Sequence, residues 1–164
     1  MATEKQVEFF KLVHQMERDR TTGLRETAKT YINLSSIYSA FIIFVAEKLR
    51  PVDVSAKMIF SATIVSMLLA FLFSILVVHV ANYQGLTNLR RIIENFGDQP
   101  PTDDDFFDDR IVDYAVACQR NLTVNNQKAR FLSASGYLIL IGLALHAAFF
   151  LDWLVNAKGF GNVG

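Results

Sequence analysis

The sequence predicts an all-α integral membrane protein with three transmembrane helices and cytoplasmic helical extensions. Hydrophobic residues make up 52% of the 164 residues, and the charged residues, 20% of the total, lie mostly between three long apolar runs. A run of about 20 apolar residues is long enough to cross a bilayer as a helix. The chain has one cysteine, so no disulfide within the chain can hold the fold together. We therefore expect the fold to depend on helix packing in lipid.

The first element is a polar segment, residues 1–30, which we predict to be a cytoplasmic amphipathic helix. It carries an apolar stripe with the i, i+3, i+4, i+7 spacing of one helix face, formed by Phe9, Leu12, Val13 and Met16. Such a helix can lie on a membrane surface. We expect the stripe instead to pack on a neighbouring helix. The segment lacks the apolar core of a signal peptide.

The next two elements form a predicted transmembrane hairpin over residues 31–80. The first span, about 31–49, is short and partly polar, so it needs flanking residues or a bundle in order to cross. The second span, about 56–80, is apolar apart from Lys57 near its start, serines, a threonine and His79. Helices in lipid associate through faces of small residues, within one chain or between subunits. The second span has such a ladder, each member four residues from the next: Ala62, Ser66, Ala70 and Ser74.

Residues 81–130 are predicted to be a cytoplasmic helical segment. A short apolar stripe within residues 86–96 comes first, and six aspartates follow among residues 103–113. Clustered carboxylates can bind hard cations. However, Thr102 followed by acidic residues is typical of a helix start, because threonine caps the first turn and acids complement the helix dipole. We expect a helix start here, without a metal or cofactor; a divalent-cation site is the alternative.

The third span, residues 131–155, is predicted to continue the same helix, and residues 156–164 form a short outer tail. Along this helix, residues spaced alternately four and three apart make a heptad seam, the pattern of close helix packing. The seam consists of Ile111, Ala115, Cys118, Leu122, Asn125, Ala129, Leu132, Gly136, Ile139, Leu143, His146 and Phe150.

Two groups of residues are the candidate sites. The first comprises small or polar residues expected to serve helix packing or subunit contact: Ala62, Ser66, Ala70, Ser74, Ala115, Cys118, Asn125, Ala129 and Gly136. The second comprises the intramembrane polar residues His79, His146 and Asp152. Ionisable groups inside a membrane are functional candidates by default. For His146, the alternative is a neutral ring that is hydrogen-bonded to a neighbouring helix.

The distribution of Lys and Arg predicts the topology. Residues 1–30 and 81–130 carry six each, whereas the 47–57 loop carries three and the tail after residue 155 carries one. Cytoplasmic loops are enriched in these residues. We therefore expect a multi-pass protein of the cell (inner) membrane, with its N-terminus in the cytoplasm and its C-terminus outside.

Composition and motifs narrow the function. Basic and acidic residues balance at 16 each, which gives no reason to expect a nucleic-acid partner. The sequence has no glycine-rich phosphate loop, serine-nucleophile elbow or zinc-protease motif, so we expect no enzyme. Two classes remain. One is a self-associating membrane effector or channel-like assembly, triggered through its cytoplasmic helices by a signal molecule or partner protein. The other is a non-catalytic accessory or scaffold subunit of a larger membrane complex.

The order of elements resembles that of the small multi-span membrane effectors of bacterial antiphage (antiviral defense) systems. In both, a polar N-terminal helix is followed by a hairpin of spans, cytoplasmic helices and a final span. The resemblance covers the whole chain as architecture, carries no diagnostic motif and therefore assigns no residue roles. It implies a protein of the lipid bilayer that impairs the membrane when triggered. The small-residue ladder and the heptad seam separately predict a homo-oligomer, because a single three-helix chain can bury one of these faces more easily than both.

Overall fold

The computed structural model describes residues 3–49, 54–80 and 102–159, which form three helices and no strand. The helices are α1 (Glu4–Leu49), α2 (Val54–His79) and α3 (Asp103–Gly159). Each is long and apolar enough to cross a membrane. The described chain is thus all-α with three candidate membrane-spanning helices, as the sequence predicts. The stripe predicted within residues 86–96 lies outside the described residues.

Two threonines cap the long helices. At α1, the Gln6 side chain accepts a hydrogen bond from the Thr3 backbone N–H, and the Gln6 N–H donates to the Thr3 carbonyl, both at 2.9 Å. At α3, the Asp105 N–H donates to Thr102 Oγ1 at 3.3 Å, and that hydroxyl donates to Asp105 Oδ2 at 2.6 Å. These bonds satisfy N–H groups that the first turn of a helix leaves unpaired.

The chain divides into two compact units, each of which is described separately. One, here called the polar unit, comprises Met1–Leu24 and Val80–Lys128. The other, the spanning unit, comprises Arg25–His79 and Ala129–Gly164. Both α1, with 46 residues, and α3, with 57, contribute to both units. Because one crossing needs only about 20 residues, each of these helices has residues to spare outside its apolar run.

In the spanning unit, α3 packs against both of the other helices. It runs antiparallel to α2: Phe73 stacks on Phe131 near one end of the contact, and Phe60 meets Phe149 near the other. It runs parallel to α1. The core is formed by aliphatic and aromatic side chains from all three helices: Ile42, Val45, Ala56, Phe60, Met67, Ala70, Ile139 and Phe149.

The buried face of α3 coincides with the predicted heptad seam at alternate positions only. Asn125, Ile139 and His146 are buried seam members. Between and beyond them, the buried residue comes one position earlier than predicted. The buried set is Lys128, Ser135, Gly142 and Phe149, where the seam has Ala129, Gly136, Leu143 and Phe150. An apolar pattern prefers Ala129 to Lys128 and Leu143 to Gly142, so it selects the neighbouring face.

The apolar stripe of the N-terminal helix is largely exposed. Phe9, Leu12 and Met16 are 61%, 57% and 62% exposed, and only Val13 is partly covered. Within the described residues, the expected packing of the stripe on a neighbouring helix is not found. The contact with α3 uses other residues of α1, including His14, whose ring meets that of Tyr114 edge-to-face at 5.7 Å.

Candidate functional site

Three residues of the predicted small-residue ladder face α3 in the spanning unit. Ser66, Ala70 and Ser74 are buried, whereas Ala62 is exposed. Ser66 Oγ donates a hydrogen bond of 2.7 Å to the Leu138 carbonyl. In lipid, a polar side chain must find its partner within the protein, so this bond joins α2 to α3. The ladder thus serves packing within the chain.

Ser135 completes this contact, although the sequence analysis did not single it out. Its hydroxyl donates to the Ala70 carbonyl at 2.8 Å and lies 2.7 Å from the Ser74 hydroxyl. Since the only hydroxyl proton of Ser135 is used for Ala70, Ser74 is the donor to Ser135. All three groups are buried. The signal in the sequence was the spacing of Ser135 from Ile139 and Gly142, which continues the four-three pattern.

Gly142 is a point of close approach between α2 and α3. A Cβ atom added there would lie 2.7 Å from Met67 Cε. Met67 is itself 1% exposed, so its side chain fills the space that the glycine leaves. A larger residue at Gly142 would have to displace the end of this flexible side chain.

His146 is enclosed by aromatic rings from α1 and α3. It is 4% exposed, stacks on Phe150 with ring centroids 4.7 Å apart, and stacks on Phe41 at 5.9 Å. Tyr38 and Phe149 approach it edge-on. Within the described residues, neither ring nitrogen has a hydrogen-bond partner. The expected hydrogen bond to a neighbouring helix is therefore not present, and aromatic packing holds the ring.

The remaining intramembrane candidates are less enclosed. His79 is exposed at the end of α2, and Asp152 is half-buried on α3. The basic residues that follow the first apolar run, Lys48 and Arg50, are possible salt-bridge partners of Asp152, and their side chains lie outside the described part. The structure does not bring His79, His146 and Asp152 together into a metal-binding group.

Asn125 is the centre of a polar cluster inside the polar unit. Its amide donates to both the backbone carbonyl and the carboxylate of Glu17, at 2.9 and 2.7 Å. Its carbonyl accepts a 2.8 Å bond from the Thr21 hydroxyl. Asn121 and Lys128 are also fully buried on α3, with a spacing of four and three about Asn125. The interior of this unit is thus markedly polar, which a search for apolar residues could not find.

Cys118 lies beside this cluster and is half-buried. Burial raises the pKa of its thiol, and the nearby Glu17 carboxylate raises it further. Both effects disfavour the thiolate, which is the nucleophilic form of cysteine. A reactive or metal-binding role is therefore not favoured. The other seam candidates, Ala115, Ala129 and Gly136, are half-buried.

The acidic stretch contains a helix start. Thr102 precedes the first residue of α3 and caps it through Asp105, a type of contact whose loss costs about 1 kcal/mol. Asp109 and Asp113 both pair with Arg110, at 3.3 and 3.1 Å. Within the described residues, no three His, Cys, Asp or Glu side chains converge as metal ligands. The side chains of residues 103 and 104 lie outside the described part.

No family model, curated protein or solved structure matches this chain.

Proposed function

We propose that the chain is a self-associating multi-pass protein of the cell (inner) membrane, which acts as a membrane effector or channel-like assembly. Its N-terminus is cytoplasmic and its C-terminus is outside. A signal molecule or partner protein acts on the polar unit, and the response is delivered by the spans. The proposal includes no catalytic activity. The observation that carries it is the uncovered apolar stripe of α1 formed by Phe9, Leu12 and Met16.

The stripe lies in a polar segment that we expect to be outside the bilayer, so lipid tails do not surround it. Residues 1–30 hold six Lys or Arg and precede the first apolar run. Exposed apolar patches on water-facing segments mark sites of protein or membrane contact. Leu12 and Met16 alternate along the helix with His14 and Glu17, which face α3. The stripe is therefore on a different face from the contact within the chain, and it is free to bind another protein.

A second exposed apolar face on the same unit favours self-association. Val112 and Val116, one helical turn apart on α3, are both exposed, while Tyr114 and Ala117 on the same helix are turned inward. Two different exposed apolar faces on one protomer permit a head-to-tail contact, in which the α1 stripe of one copy packs against Val112 and Val116 of the next. Contacts of this type generate rings when the rotation closes. A ring of membrane spans is the architecture of a channel-like assembly.

The alternative is a non-catalytic accessory or scaffold subunit, in which a different protein covers the stripe. Genes beside this one distinguish the two. A nucleotide cyclase or nuclease favours the effector, and the components of a large membrane complex favour the subunit.

The mass of the particle in mild detergent tests the proposal. The wild type should be a homo-oligomer, and the double variant Leu12→Lys with Met16→Lys should be a monomer with unchanged helix content. The matched control carries Gln15→Lys and Thr22→Lys, which add the same charge at exposed positions of α1 outside the stripe. The control should keep the wild-type mass. A wild type that is monomeric in several mild detergents would remove the basis of self-association and leave the subunit alternative.

A further inference from the structure

An open groove lies between α1 and α3 in the spanning unit. Its volume is about 550 Å³, and its walls include Tyr31, Leu34, Ser133, Gly136, Tyr137 and Leu140. At its floor, Tyr31 packs closely over Gly136: a Cβ atom at residue 136 would lie 3.3 Å from the Tyr31 hydroxyl oxygen. Since these residues belong to the first and third apolar runs, the medium that fills the groove is lipid or another helix.

The shape of the groove fits a flexible chain better than a second helix. Leu34, Tyr137 and Leu140 line it and also project outward as exposed side chains. A helix with its side chains is roughly 10 Å wide, so these walls would have to move before it could enter. A hydrocarbon chain needs no such movement. The volume falls in the range of roughly 300–1,000 Å³ that is usual for small-molecule sites.

A positive charge lies near one end of the groove. Arg130 precedes Ser133 by three residues and Tyr137 by seven, so it lies on the same side of α3 as these two lining residues. It is exposed and, within the described residues, forms no ion pair. Its position at the start of the third apolar run corresponds to the level of lipid headgroups. Basic residues at this level attract anionic lipids, and guanidinium groups bind phosphate strongly.

We propose that this groove binds an anionic phospholipid: one acyl chain lies in the groove against Leu34, Tyr137 and Leu140, and the phosphate binds Arg130. The lipid belongs to the leaflet on the Arg130 side of the spanning unit. This site is independent of the apolar stripe on the polar unit, so either proposal can fail without the other.

Native mass spectrometry of the protein released from nanodiscs tests the site. The nanodiscs contain equal parts of phosphatidylcholine and phosphatidylglycerol, which have similar acyl chains and differ in net charge. The wild type should retain phosphatidylglycerol in excess. Arg130→Gln should reduce that preference about five- to tenfold, the effect of losing one charge-assisted contact at the membrane surface. The matched control is Lys57→Gln, which removes an exposed charge at the start of α2.

Filling the groove should remove the bound lipid. Gly136→Leu pushes the Tyr31 ring into the groove, and Ser133→Phe occupies the groove from an exposed position where the core is not disturbed. Ala148→Leu adds bulk at an exposed position of α3 that does not line the groove, and it should retain lipid as the wild type does.

Three results would overturn the site. One is a wild type without excess phosphatidylglycerol. Another is full lipid retention by a folded Ser133→Phe variant. The third is loss of oligomers in Ser133→Phe with lipid retention unchanged, which would assign the groove to a second copy of the chain.

Discussion

The two units of this protein have opposite arrangements of polar and apolar groups. In the spanning unit, apolar side chains make up most of the core and of the surface, and three of its buried hydroxyls, those of Ser66, Ser74 and Ser135, bond across helices. In the polar unit, Asn121, Asn125 and Lys128 are buried while Phe9 and Leu12 are exposed. An apolar exterior is what lipid requires, but water disfavours it. Under the proposed function, the same exposure has different meanings: apolar side chains of the spanning unit face lipid, and those of the polar unit face a protein partner.

The comparison depends on whether the polar unit is in the cytoplasm. Chemical labelling of Cys118, which belongs to that unit, measures on which side of the membrane it lies. A membrane-impermeant maleimide should not label Cys118 in intact cells but should label it after permeabilisation. Because the pKa of the thiol is raised, the folded protein holds less thiolate at neutral pH than a free cysteine does. Labelling after permeabilisation should therefore be slow, faster at higher pH, and fastest in denatured protein.

Permeabilised and denatured samples serve as the controls, because burial alone also slows the reaction. Labelling in intact cells at the permeabilised rate would reverse the topology. The exposed stripe of α1 would then face the outside, and a cytoplasmic trigger could not reach it.

The polar interior of the polar unit should be sensitive to the loss of Asn125. Asn125→Ala removes the bonds that join α3 to the Glu17 carboxylate, the Glu17 carbonyl and the Thr21 hydroxyl of α1, and we expect a loss of about 2 kcal/mol in the free energy of unfolding. Asn126→Ala is the control: that side chain is exposed and accepts one bond from Arg20, so about 0.5 kcal/mol is expected. Equal losses of stability in both variants would mean that the buried cluster contributes no more to the free energy of unfolding than an exposed hydrogen bond does.

The hydroxyl contact of the spanning unit should contribute less than this cluster. Ser135→Ala removes the bond to the Ala70 carbonyl and the acceptor of Ser74, and hydrogen bonds between helices in membranes contribute only about 0.6–1.7 kcal/mol. We expect a loss of about 1 kcal/mol in titrations with a denaturing detergent. Ser133→Ala, at an exposed position of the same helix, should have no measurable effect. A loss larger than that of Asn125→Ala would reverse the order of the two units.

The sequence predicted the fold well because length and hydropathy alone identify spans. A run of about 20 apolar residues indicates a membrane span, and Thr102 before acidic residues indicates a helix start. The packing faces were harder to predict. Hydropathy selects Leu143 over Gly142 and Ala129 over Lys128, whereas the structure buries the glycine and the lysine. The glycine is buried because the neighbouring helix approaches it closely, and burial of the lysine depends on the groups around it. Neither the close approach nor the surrounding groups can be read from a single sequence.

The smallest stability change is expected at His146, the residue whose position in the spanning unit looks most functional. Its nitrogens have no hydrogen-bond partner within the described residues, and its ring is held by stacking on Phe41 and Phe150. His146→Phe keeps the stacking and removes two buried polar atoms, so stability should be unchanged or higher by up to about 1 kcal/mol. Detergent-denaturation curves measure this, with Tyr38→Phe as a neighbouring ring control.

If the proposed effector activity is measured as membrane impairment, a His146→Phe variant that is stable but inactive would show that the imidazole serves function rather than folding. A loss of more than about 2 kcal/mol would contradict the aromatic-packing account, since buried groups lose this much only when real partners are removed. The nitrogens would then bind something that a single chain does not supply, such as a second protomer. His146→Gln, which retains a donor and an acceptor, should recover part of that loss only in this case.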